Sequence, residues 1–404
     1  GGGRSNVGLH AHPAKHPWSN ALTKFIPEFE QQTGIKVEVT KLEQQQLEDE
    51  EAVKLNAGSS DIDVMMWRAE QVTKLYGQSG YTSDLTPYIK KSADWDWEDF
   101  LAPMRQLMTY DGRVLGVPVA SETEVLYYRT DLLKAAGLEP PKTLDELEAP
   151  AKQLKAENPG TAGFISRTTA SGSVTLFSSF HYSSGGNWTD DQGTSTIATP
   201  EARKAYDLYG RLIREYGPDN VTTDMEWTDA LALFASGTSA FYTETSSVYP
   251  MIVDPKSSQI VGKVGVVPFP AGSAGAKPFF IPAYTLGINE FSNHKDEAWE
   301  FVKWATSKEM MINLEKVAST GTRKSALTDQ EALSGMPQDL RDAFVATIDT
   351  GQPYDRPQLI DVNSAREIVG TPIAVAISGG DLDKALSKAN ADFQALLNSE
   401  KGKG

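Results

Sequence analysis

The chain has 404 residues, 40% of them apolar and 23% charged, and a formal net charge of −16. That length exceeds one ordinary core and sets two domains as the expectation, and the acidic balance argues against an electrostatic grip on nucleic acid or an anionic membrane. Cysteine is absent, which excludes disulfides, thiol nucleophiles, iron–sulfur clusters and thiolate zinc sites, and suits an oxidising compartment. No apolar run approaches a membrane span. Residues 1–5, GGGRS, read as a processed start or a cloning remnant and are set aside.

The N-terminal third reads as α/β. A strand at 7–10 leads through AHPAKHPWS to an amphipathic helix at 19–33 closed by Gly34. A strand at 35–42, a helix at 46–56 and an apolar strand, IDVMMW, follow. Such strand–helix–strand units predict a mostly parallel sheet whose strand ends open onto a crevice. Asp111-Gly112 is a hairpin-type turn, and the strand after it is interrupted by Ser121-Glu122-Thr123 before resuming at 125–128. A strand broken by a polar triplet points to a crossing between two lobes with a carboxylate at the junction. A helix at 130–136 capped by Gly137 follows, and then Thr143 with Glu146 as a capping box. Helical spacing marks 144–157, 174–183, 200–216 and 228–236, with short strands near 163–165, 239–243 and 264–267. A second crossing strand is expected at 278–289, helices at 295–304 and 308–316, a loop at 319–323, and helix from about 336 onward.

Eight segments carry a resemblance: FIPEFEQQTGIKVEV (25–39), 55–89, 111–147, ATPEARKAYDLY (198–209), WTDALALFASGTSAFYTE (227–244), VGVVPFP (264–270), NHKDEAWEFVKWATSKE (293–309) and GGDLDKAL (379–386). In this order the chain resembles the extracellular solute-binding proteins of ABC importers, in particular their carbohydrate-binding, maltose-binding-protein-like family. The resemblance implies the two-lobe, type II periplasmic-binding fold of class α/β, its lobes joined by a multi-strand hinge. It assigns 1–120 with 283–325 to lobe I and 121–282 with 326–404 to lobe II. It also implies a solute held in the cleft and closure by hinge motion. The function that follows is capture of a sugar, oligosaccharide or polyol and delivery to the permease. The protein is then a periplasmic or extracellular monomer, not an enzyme, with no cofactor and with ABC permease transmembrane subunits as partners. A lipid anchor on the precursor is compatible with this reading.

The candidate contacts follow the strand ends and crossings. Trp67 and Arg68 close IDVMM, where an indole face stacks on a pyranose and a guanidinium donates to vicinal hydroxyls. A core Trp with a surface ion pair is the plain alternative. Glu122 lies in a PxAxE context that the resemblance associates with ligand contact, and a hinge salt bridge is its other reading. Glu244 ends the strand SAFYT, Tyr284 lies in the second crossing, and Arg323 serves either the cleft or lobe bracing. The resemblance adds Arg356 and Asn363 from the second lobe. His12 and Trp18 belong to a loop at the cleft rim, and Trp227 opens a helix with a ring available for stacking. Trp188, Trp95, Trp97, Trp299 and Trp304 read as packing. A metal site at His10, His12 and His16 lacks a carboxylate cluster, and the run Glu48–Glu51 reads as a solvated helix face.

Two alternatives stay open. One is a glycan hydrolase using Glu122 and Glu244 as its carboxylate pair. The other keeps the fold and binds a polyamine, a phosphate ester or iron. Nucleophile-elbow, P-loop, dinucleotide-fold and H-E-x-x-H motifs are absent.

Overall fold

The computed structural model describes residues 7–317 and 320–402. The 1–5 segment, and Ser319 of the expected 319–323 loop, lie outside them. Among the described residues ten strands occur in chain order: β1 (Gly8–His12), β2 (Lys36–Val39), β3 (Val64–Arg68), β4 (Thr109–Tyr110), β5 (Arg113–Val114), β6 (Val117–Arg129), β7 (Ala162–Ile165), β8 (Ser239–Thr245), β9 (Val264–Pro268) and β10 (Phe280–Ile288). The chain divides into two compact units. The first holds Gly1–Ser121 and Ile281–Met336, and the second holds Glu122–Phe280 and Pro337–Gly404. The last division thus falls after Met336, later in the chain than the expected 325.

In the first unit β1 pairs in parallel with β2 and β3, and β10 runs antiparallel beside β3, with Tyr284 opposite Arg68 and Thr285 opposite Trp67. Helices Ile26–Thr33 and Gln44–Asn56 link the parallel strands. The first ends at Gly34, whose φ of 75° supplies the left-handed cap that a side chain resists. The core gathers Leu9, Trp18, Phe29, Val64, Met66 and Phe301. A second cluster holds Leu55, Met65, Trp67 and Tyr76. The β4–β5 hairpin turns through Asp111 and Gly112, both at positive φ, as a type I′ turn requires.

In the second unit β8 pairs antiparallel with β6 and parallel with β7, and β9 joins β6 on its other side. Helix Pro200–Tyr216 starts at Thr199, whose side chain accepts the Ala202 amide, and it has proline in its first turn. It buries Ala202, Ala205, Tyr206, Tyr209, Leu212 and Ile213 along one stripe. That stripe packs with helices Ala170–Ser183 and Val362–Ser378. The Phe177, Phe180, Tyr206 and Tyr209 rings centre this core.

Two expectations are corrected here. The polar triplet does not interrupt its strand, because β6 continues from Val117 to Arg129. The departure from regular geometry sits one residue earlier, where Ala120 takes a φ of 58°. The Glu48–Glu51 run is not a solvated face: Glu51 is fully buried, with the Tyr76 hydroxyl donating to it at 2.6 Å, Glu48 is ion-paired with Arg68, and Glu50 is hydrogen-bonded to His12.

Candidate functional site

Polar side chains converge at the carboxyl ends of β1 and β3 in the first unit. Arg68, the last residue of β3, forks onto Glu48 with N–O distances of 2.6 and 3.1 Å. Glu48 comes from helix Gln44–Asn56, which also sends Glu50 to His12 Nδ1 at 2.8 Å. With its oxygen turned to the guanidinium, the Gln44 amide accepts from Arg68 at 3.0 Å and donates to the Tyr284 hydroxyl at 3.2 Å. The Tyr284 ring meets the His16 ring edge-on at 5.4 Å. Burial lowers the His16 pKa to about 4, so the ring is neutral near pH 7. Its Nδ1 accepts the Trp18 amide at 3.0 Å, which leaves Nε2 as a hydrogen-bond donor. His12, Arg68 and Tyr284 are therefore brought together.

Trp67 and Arg323 are not among them: the ligand reading of each is corrected, and the core Trp and the bracing Arg are what the structure holds. Trp67 is 1% exposed, donates from its indole nitrogen to Thr73 at 2.9 Å, and lies edge-on to Tyr76. A Cβ on Gly287 would come within 2.3 Å of its ring, so that indole is fitted into the core and offers no face for stacking. Arg323 is fully buried. Its guanidinium donates to the carbonyls of Trp95, Asp96 and Thr306 and to Asp99, while its plane covers the Phe100 ring at 4.2 Å. It braces the 95–100 segment. Trp18 is likewise buried in the core.

The second unit carries a denser cluster. Arg167, two residues beyond β7, forks onto Glu244 near the end of β8 at 2.6 and 3.0 Å, and donates to the Gly172 carbonyl at 3.2 Å. Glu244 is fully buried and also accepts the Thr245 amide at 3.1 Å. Asp355, 1% exposed, accepts from Arg356 at 2.9 Å through both carboxylate oxygens and from the Thr175 hydroxyl at 2.6 Å. Arg366 donates to that same hydroxyl at 2.6 Å. Burial opposes ionisation of Asp355, yet Arg356 and Arg366 hold its carboxyl well below the usual range. Asn363 is exposed three residues before Arg366 and shares its helix face.

Glu122, half-buried, accepts from the Ser247 hydroxyl at 2.9 Å. Burial pushes its carboxyl up, and Asp355 and Glu244 add to the rise, against Ser247 and Arg167. Trp227 is 40% exposed at the first position of helix Trp227–Ala235, which Glu226 and Asp229 cap reciprocally. The preceding Met225 is bonded in both directions to Thr168, one residue after Arg167. Trp188 is buried against Phe177, His181 and Tyr182 as a packing residue.

Arg167, Asp355, Arg366, Ser247 and Gln44 were not anticipated. Arg167 stands just past a strand end, as Arg68 stands at one, so the strand-end rule applied to β7 would have found it. Among the described residues, no group of three His, Asp or Glu is placed to hold a metal ion, and no helix is long and apolar enough to cross a membrane.

A family model described as "Bacterial extracellular solute-binding protein" matches residues 16–312. The chain is 26% identical over 334 residues to the mannitol-binding protein of Pseudomonas aeruginosa, covering 78% of this chain and 76% of that one. Among solved structures, an ABC transporter solute-binding protein of Agrobacterium radiobacter in complex with ribitol superposes with a TM-score of 0.79 at 27% identity, over 97% of this chain and 99% of the other. The maltose-bound T. maritima MalE3 does so with a TM-score of 0.79 at 26% identity, over 96% and 100%.

Proposed function

This chain belongs to the bacterial extracellular solute-binding protein family, and from that premise we propose that it captures an uncharged sugar or polyol for an ABC importer. The observation that carries the reading is the pairing of charges in both clusters. Arg68 is matched to Glu48, Arg167 to Glu244 and Arg356 to Asp355. Such pairs present oriented donors and acceptors with little net charge, which suits vicinal hydroxyls that both give and take hydrogen bonds. Trp227 supplies an exposed ring in the second unit. The relatives point the same way, since the ligands named for them are mannitol, ribitol and maltose.

The bound solute passes to membrane permease subunits outside the cytoplasm, and the chain acts as a monomer without chemical turnover. The hydrolase alternative loses support because both oxygens of Glu244 are held by Arg167, so Glu122 lacks the second free carboxyl that a catalytic pair requires. A polyamine needs several carboxylates without cations, whereas Glu48, Glu244 and Asp355 each have an arginine and, among the described residues of these clusters, Glu122 stands alone. A thermal-shift screen of D-mannitol, ribitol, maltose and spermidine, with recovery of each compound, tests the proposal. A raised melting temperature with an intact polyol or sugar supports it, because ligand selective for the folded state stabilises it by mass action. Stabilisation by spermidine alone, or consumption of the sugar, overturns it.

A further inference from the structure

This inference rests on the reading of the second-unit cluster as a sugar or polyol site, and concerns what that site refuses. Each guanidinium there is already engaged. Arg167 covers both oxygens of Glu244, Arg356 covers both oxygens of Asp355, and Arg366 reaches Asp355 through the Thr175 hydroxyl. Glu122 differs. Its partner is the Ser247 hydroxyl at 2.9 Å, and among the described residues no arginine or lysine lies within ion-pair distance of it. The charges it feels are those of Asp355, Glu244 and Arg167, two of the three negative.

We propose that Glu122 is a specificity-determining residue, which admits uncharged polyols and excludes the corresponding aldonates, in which one terminal CH2OH is replaced by carboxylate. A polyol hydroxyl donates to the Glu122 carboxylate and gains a charge-assisted hydrogen bond. A ligand carboxylate at that position meets a like charge, while Arg167 and Arg356 are bound to protein carboxylates and Arg366 to the Thr175 hydroxyl. Discrimination then comes from an unfavourable contact with the wrong ligand as much as from favourable contacts with the right one.

Calorimetric titration at neutral pH of D-mannitol against D-mannonate, and of ribitol against ribonate, tests this on the wild type and on Glu122→Gln, which keeps the shape and loses the charge. The wild type is expected to prefer each polyol by about a hundredfold or more, and Glu122→Gln to narrow that preference by about tenfold or more. Glu122→Asp, which keeps the charge, retains the preference. Equal affinity of the wild type for polyol and aldonate overturns the inference without any variant. Full discrimination in a folded Glu122→Gln protein, with its melting temperature unchanged, overturns it as well. Failure of both polyols and both aldonates to bind the wild type instead overturns the polyol reading on which it rests.

Discussion

Arg323 and Trp227 show how exposure separates a residue that holds the fold from one that can meet a ligand. Arg323 has no exposed surface, and its guanidinium makes four hydrogen bonds, to three carbonyls and Asp99. Arg323→Ala removes the cation from Asp99 and strands three carbonyls, so denaturant unfolding should report a loss of about 3–5 kcal/mol. Polyol affinity of the folded variant should be unchanged. Trp227 is the reverse case, 40% exposed at a helix start. Trp227→Ala should leave the unfolding free energy within about 0.5 kcal/mol and weaken binding of a ring sugar such as maltose more than that of mannitol, because a pyranose has the flat C–H face that stacks. Equal weakening for both ligands in calorimetry would remove the stacking role.

At the scale of elements, β6 holds the informative irregularity. Ala120 takes a φ of 58° within the strand and is 2% exposed. A left-handed conformation costs a residue with a Cβ about 1–2 kcal/mol, while removing one buried methyl costs about 0.8 kcal/mol. Ala120→Gly should therefore leave unfolding free energy within about 1 kcal/mol of wild type. Ala11→Gly in β1, a position without positive φ, should lose about 1.5 kcal/mol. Paired urea titrations check this, and equal losses at the two positions would refute it.

The elements also show why some of the site was legible in the chain and some was not. Arg68 was readable because it ends a short apolar run between two helices, the pattern of a buried strand in an α/β unit. The facing of Trp67 was not, since β3 is buried on both sides and alternation carries no signal there. The Glu48–Glu51 run looked solvated because its partners, Arg68, His12 and Tyr76, lie on other elements. Asp355 and Arg366 meet Thr175 only through the packing of helix Val362–Ser378 on helix Ala170–Ser183, a contact that periodicity does not encode. Helix positions such as Pro200–Tyr216 were fully legible, because cap, proline and apolar stripe agree.

For the molecule as a whole, buried histidine makes stability depend on acid. His181 is fully buried, stacked on Phe177 at 5.4 Å, and burial lowers its pKa from 6.5 to about 4. Above pH 6.5 it is neutral whether the chain is folded or unfolded. Between pH 6.5 and 4 the unfolded chain takes up a proton that the folded chain refuses, so stability falls with pH, by up to roughly 3 kcal/mol from this residue. His181→Gln does not titrate. The difference in unfolding free energy between wild type and variant should move toward the variant as pH falls from 7 to 4, and a difference constant with pH would contradict it.

The most direct test is calorimetric titration of the wild type with D-mannitol, ribitol and maltose, followed by chromatography of the recovered ligand. The account predicts saturable one-to-one binding of at least one of them, with the compound recovered unchanged. No heat from any of the three, or recovery of a cleaved or altered product, would contradict it.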